Sequence, residues 1–116
     1  MVKLIIRIAI NAIAIWLAAQ IVAGVTLTND IIGILLVAII FGLINGLIKP
    51  VVKLLSLPLL VLTLGLFTLV INALLLWLTS WISSYLTIDG FFPALWASII
   101  ISLVSWLLSM FLDDKD

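Results

Sequence analysis

The sequence predicts an all-α membrane protein with four transmembrane helices, arranged as two parallel helix-hairpin repeats joined by a short interfacial or re-entrant connector. Three observations predict it. Only 9% of the 116 residues are charged and 67% are hydrophobic, whereas a soluble domain averages about 25% charged. The apolar residues fall into runs of about the ~20 residues that a spanning helix needs, parted by short polar turns. A motif in the first half recurs 61 residues later, as Asn11-Ala-Ile-Ala-Ile-Trp16-Leu and Asn72-Ala-Leu-Leu-Leu-Trp77-Leu.

With a mean hydropathy of +1.58, the chain has too little charge to coat a globule, so its solvent is lipid. Cysteine and histidine are absent. That removes disulfides, thiolate chemistry, histidine general bases and the common zinc and haem ligands. No catalytic, cofactor or metal site is read from the residues. Glycine-rich phosphate loops, a nucleophile elbow and a nucleic-acid-binding basic patch are not found.

Residues 4–22 form the first span, with Lys3 and Arg7 one turn apart at its start. A basic start before an apolar run also fits a signal peptide; the repeat argues for a permanent helix. The turn Thr26-Leu-Thr-Asn-Asp30 leads to the second span, residues 31–48. Lys49-Pro50 is expected to end it, because proline disfavours a helical residue before it and brings no N–H. Residues 51–64, with Lys53 and Pro58, are too short to span. They read either as an interfacial or re-entrant segment, with Lys53 snorkelling, or as the start of a long tilted third helix. The third span covers residues 65–82 and the fourth about 92–112, with Pro93 in its first turn. This gives one membrane domain: repeat 1 over about 4–48, a connector over 49–64, repeat 2 over 65–112, and a charged tail, 113–116.

Four spans place both termini on one side, with Lys3, Arg7, Lys49, Lys53 and Lys115. The other side carries Asp30 and Asp89 and no Lys or Arg. The positive-inside rule puts the termini and the connector in the cytoplasm. Trp16, Trp77, Trp81 and Trp96 then sit near the outer headgroups and Trp106 nearer the inner ones, as amphipathic indoles prefer. Lys3, Arg7, Lys49 and Lys53 set topology and can also contact anionic lipid, at roughly 1 kcal/mol each.

Helices in lipid associate through small residues and hydrogen bonds, since leucine gains nothing by leaving an acyl chain. Ala38, Gly42, Gly46 and Ser98 are the expected close-packing positions. Asn11, Asn45, Asn72, Ser102 and Ser105 are the expected intramembrane polar groups, read as glue between helices or, alternatively, as the lining of a solute path. An amide facing lipid leaves donors and acceptors unpaired, at several kcal/mol, so Asn11 and Asn72 are expected to point inward. No ionisable residue lies deep in a span, which argues against a pump or coupled carrier. Four short helices leave little room for a pore in one copy.

The ordered set Gly42-Leu-Ile-Asn45, Lys49-Pro50, Leu57-Pro58 and Leu62-Thr-Leu-Gly-Leu-Phe-Thr-Leu-Val-Ile-Asn-Ala73 resembles the bacterial family named phage holin family 4, superfamily IV. Asp89-Gly90-Phe91 and Ser102-Leu-Val-Ser-Trp-Leu-Leu108 fit the same pattern. Phe92-Pro93 departs from it, at a place where an aromatic followed by a small residue is expected. The resemblance implies a small, non-enzymatic multi-pass protein of the bacterial inner (plasma) membrane that self-associates in the bilayer and can permeabilise it. A housekeeping envelope module that organises protein or lipid partners, and a small channel or transporter subunit, are the alternatives. The expected partners are the lipid bilayer, further copies of the chain and anionic lipid, with no nucleic acid.

Overall fold

A computed structural model describes residues 2–63 and 65–112; the charged tail, 113–116, lies outside the described residues. The elements in order are α1 (Val2–Ile21), β1 (Val25–Leu27), α2 (Ile31–Leu47), α3 (Lys49–Leu55), α4 (Leu57–Leu62), α5 (Phe67–Ile82), β2 (Leu86–Ile88) and α6 (Phe91–Leu112). The protein is mostly helical. The stretches Val2–Ile21, Ile31–Leu55 and Phe91–Phe111 are long and apolar enough to cross a membrane, and Phe67–Ile82 is apolar but shorter.

The expectation of helix alone is corrected at one end of the bundle. The two polar turns form an antiparallel ribbon that pairs Val25 with Ile88, Thr26 with Thr87 and Leu27 with Leu86. Its residues alternate as a strand requires: Val25, Leu86 and Ile88 are buried, while Thr26 and Thr87 face out. Backbone bonds beyond the ladder extend it, Thr28 N–H to the Tyr85 carbonyl at 2.9 Å and Asp89 N–H to the Gly24 carbonyl at 2.8 Å. Two glycines make the ribbon possible. Gly24 adopts φ +93°, which favours a residue without Cβ, and a Cβ there would lie 2.9 Å from Pro93 Cγ. Gly33, in the first turn of α2, lets Thr28 and the Tyr85 ring lie against that helix; a Cβ would stand 2.6 Å from Thr28 Cγ2 and 2.8 Å from Tyr85 Cδ1.

Beneath the ribbon the four long helices close on an apolar core. Ala14, Ile15 and Ala18 of α1 meet Val37 and Phe41 of α2, Ala73 and Leu76 of α5, and Ala94, Ala97 and Ile101 of α6, with Val25, Leu86 and Ile88 as the lid. Small residues let the backbones approach, and the aliphatic ones fill the gaps. Helix α6 packs most extensively, against both α1 and α5; α1 also packs on α2, and α2 touches α5 more lightly.

At the opposite end, which carries the start of α1 and the end of α6, the chain differs from expectation at Lys49-Pro50. Lys49 is itself helical, and Ile48 alone separates α2 from α3 while keeping right-handed helical angles. Ile48 N–H still bonds the Ile44 carbonyl, and Val52 N–H bonds that of Ile48. Pro50 falls in the first turn of α3, where its missing N–H leaves no bond unmade. Pro58 likewise opens α4 rather than bending a longer helix. The connector is therefore two short helices, distinct from α5. Val52 and Leu60 pack on a small cluster of Ile44, Ile71 and Leu75. Thr63 links α4 to α5: its Oγ1 donates to the Leu59 carbonyl at 2.8 Å and accepts from Phe67 N–H at 3.1 Å. Exposures of 67% at Leu54, 78% at Leu55 and 79% at Leu62 leave the connector with a large apolar surface.

Candidate functional site

Where the ribbon end is closed, the termini end is open on one side. Helices α1, α2 and α6 part there around a cavity of about 650 Å³. Arg7 and Asn11 line it from α1, Gly42, Asn45 and Gly46 from α2, and Ser105 and Ser109 from α6, with Leu4, Ile8, Ile39 and Leu43 as apolar walls. Residues four apart share a helix face, which explains how Arg7 with Asn11, and Ser105 with Ser109, reach the same space. At 1.5 Å per residue the polar lining of α1 extends about 6 Å along its axis. The Asn11 amide lies over Gly42, where a Cβ would be 3.4 Å from its Nδ2. A Cβ on Gly46 would meet nothing within 4 Å.

The polar side chains in the groove make no bonds among the described residues. Elsewhere in the helices hydroxyls turn back onto the backbone: Thr79 to the Leu75 carbonyl at 3.0 Å, Ser80 to that of Trp77 at 2.6 Å, and Ser98 to that of Leu95 at 2.8 Å. By contrast, Arg7, Asn11, Asn45, Ser105 and Ser109 have no side-chain hydrogen bond or ion pair with another described residue. None of their polar atoms is sealed from outside, since no buried side-chain nitrogen or oxygen lacks a partner among the described residues. The groove thus presents a cation, two amides and two hydroxyls to an occupant from outside the bundle.

The remaining sequence-selected residues are spread more widely. Ala38 and Ser98 are buried in the helix contacts, at 0% and 2% exposure. Asn72 is half-buried on α5, away from the groove, and Ser102 faces outward on α6. Lys3 lies in the first turn of α1, and Lys49 and Lys53 lie on α3, all outside the groove lining. Pro50 and Pro58 start the two connector helices. Sequence reasoning grouped Arg7 with the other cations and Asn11 with the other amides; their four-residue spacing was the signal that they share a face. No three metal-ligating side chains converge among the described residues.

Residues 2–107 match the family described as mycobacterial 4 TMS phage holin, superfamily IV. The chain belongs to that family and is a membrane protein with several apolar helices. It is 44% identical to an uncharacterized protein of Streptomyces coelicolor over 121 residues, covering 100% of this chain and 97% of the relative. It is 38% identical to the uncharacterized membrane protein YvlD of Bacillus subtilis over 104 residues, covering 88% of this chain and 86% of the relative. No solved structure matches.

Proposed function

We propose that the chain is a non-enzymatic inner-membrane protein that acts by self-assembly, and that any path it opens runs between copies. The observation that carries this is the closed ribbon end. The apolar core and the ribbon lid leave the groove open at the termini end only, so a single copy offers no route across the bilayer. Ser102, exposed on α6, is available for helix contacts between copies.

Four crossings are supported by the family's four-span description, and a ribbon outside with both termini in the cytoplasm by the placement of the cations. Helix α5, with 16 residues, is about 24 Å long against a hydrocarbon core of ~30 Å. Its start is therefore held inside the inner leaflet, and the apolar connector dips into that leaflet beside it. Two parallel repeats about an axis along the membrane normal are supported by burial: Ile10, Ala12, Ala14, Ile15 and Ala18 of α1 stand 61 residues before Ile71, Ala73, Leu75, Leu76 and Thr79 of α5, the buried sets of both helices. The same offset relates the paired residues Thr26 and Thr87, and it exchanges the two flanking ribbon bonds with each other.

Inducible expression in bacteria, with membrane potential and release of a cytoplasmic enzyme as readouts, tests the reading. A co-expressed endolysin without an export signal supplies the passenger. Abrupt loss of potential, with lysis only when endolysin is present, is the expected result. Normal potential at high, verified expression would sink it. The one-ended groove favours a second reading in that event: an envelope module that organises lipid without opening a path.

A further inference from the structure

We propose that the groove between α1, α2 and α6 binds the headgroup of an anionic phospholipid from the leaflet at the termini end. The argument starts from what the groove cannot leave bare. Arg7, Asn11, Asn45, Ser105 and Ser109 converge on it without a partner among the described residues, and hydrocarbon is a poor neighbour for such groups because it can accept or donate no hydrogen bond. An occupant must accept from a guanidinium and exchange hydrogen bonds with amides and hydroxyls. Phosphate oxygens do this, and the guanidinium fork suits them geometrically. The described acids, Asp30 and Asp89, lie beside the ribbon at the far end, so they do not neutralise Arg7. The walls settle which phosphate. Leu4 and Leu43 are each 56% exposed and line the same groove as the exposed Arg7, so one occupant meets a cation and apolar side chains side by side. That is the profile of an amphiphile whose chains lie along α1 and α2, and ~650 Å³ is within the range of small-molecule sites.

This deepens the second reading above, and its test reads lipid retention, which the potential and lysis assays do not. The purified full chain is titrated in detergent with dioleoyl phosphatidylglycerol, dioleoyl phosphatidylcholine or inorganic phosphate, and bound lipid is counted by native mass spectrometry. Retention of phosphatidylglycerol at least about tenfold tighter than phosphatidylcholine is expected, tenfold being ~1.4 kcal/mol. Arg7→Gln should bring the two lipids within about twofold, with helix content by circular dichroism unchanged, while Lys49→Gln with Lys53→Gln should leave the preference in place. Equal retention of both lipids overturns the proposal. So does a preference that survives Arg7→Gln and vanishes with the Lys49 and Lys53 changes, which would mark diffuse attraction to the connector. Displacement by millimolar inorganic phosphate would make the ligand a free anion. Retention only after Asp113, Asp114 and Asp116 are changed to Asn would make the chain's own tail the occupant. Either result removes the lipid assignment.

Discussion

Replacing Gly33 with alanine should weaken the cap at the ribbon end. The added Cβ would stand 2.6 Å from Thr28 Cγ2, 2.8 Å from Tyr85 Cδ1 and 3.0 Å from Tyr85 Cγ. Thr28 cannot turn away without loss, because its Oγ1 accepts from Asp30 N–H at 3.2 Å. Tyr85 is held by the ribbon, where its carbonyl accepts from Thr28 N–H. Overpacking of this kind costs about 1–3 kcal/mol, or about a 5- to 150-fold change in the folded-to-unfolded ratio. The assay is unfolding in mixed detergent and dodecyl sulfate micelles, followed by circular dichroism. Gly46→Ala is the internal comparison: its Cβ meets no atom within 4 Å, and the helix gains up to about 1 kcal/mol from alanine. Thr28→Ser removes the methyl group nearest the new Cβ, so the Thr28→Ser/Gly33→Ala chain should recover part of the loss. Equal stability of Gly33→Ala and Gly46→Ala, or no recovery with Thr28→Ser, would refute the close approach on which the cap depends.

Gly24→Ala combines a positive φ with a Cβ 2.9 Å from Pro93 Cγ, whereas Gly65→Ala has a positive φ alone, +87° with open space around it. Both should destabilise in the same micelle assay, Gly65→Ala by about 1 kcal/mol and Gly24→Ala by clearly more; the reverse order would contradict the packing of the first turn on α6. Asn72→Leu should leave the unfolding midpoint of a single copy nearly unchanged, since the amide makes no hydrogen bond with another described residue. It should lower the oligomeric fraction in mild detergent if that amide bonds between copies; an unchanged fraction would remove Asn72 from the interface.

The spans were legible because lipid imposes a long apolar run on each helix, and ends near residues 21, 31, 82 and 91 follow from the polar turns. The ribbon was not. Three-residue strands lie below the length at which alternation stands out, and Val25-Thr-Leu27 reads equally well as a polar turn until Leu86-Thr-Ile88 is placed beside it. Pro50 misled because the rule for the residue before proline is a preference: Lys49 stays helical where α3 opens afresh after a one-residue joint. At the candidate site Arg7, Asn11, Asn45 and Ser105 were each found from the sequence, but their grouping was not. Convergence of Arg7, Asn11, Asn45 and Ser105 on one cavity depends on which helices are neighbours and where they part, and apolar surfaces that can all face lipid carry little of that information. Gly24 and Gly33 were missed for the same reason, since each answers to a segment brought up by the ribbon.

In the proposed orientation the ribbon seals the bundle on the outside and the polar groove opens on the cytoplasmic side. The absence of cysteine lets two single substitutions test it in intact cells with a membrane-impermeant maleimide. Thr26→Cys, on the outward face of the ribbon, should label from outside. Ser109→Cys, in the groove lining, should label only after the membrane is permeabilised. The Thr26→Cys/Thr87→Cys chain should also close a disulfide, because directly paired strand residues have Cα atoms about 5.5 Å apart or less. Labelling of Ser109→Cys from outside, or of both sites in intact cells, would contradict the account. So would two thiols that stay reduced at the ribbon under added oxidant.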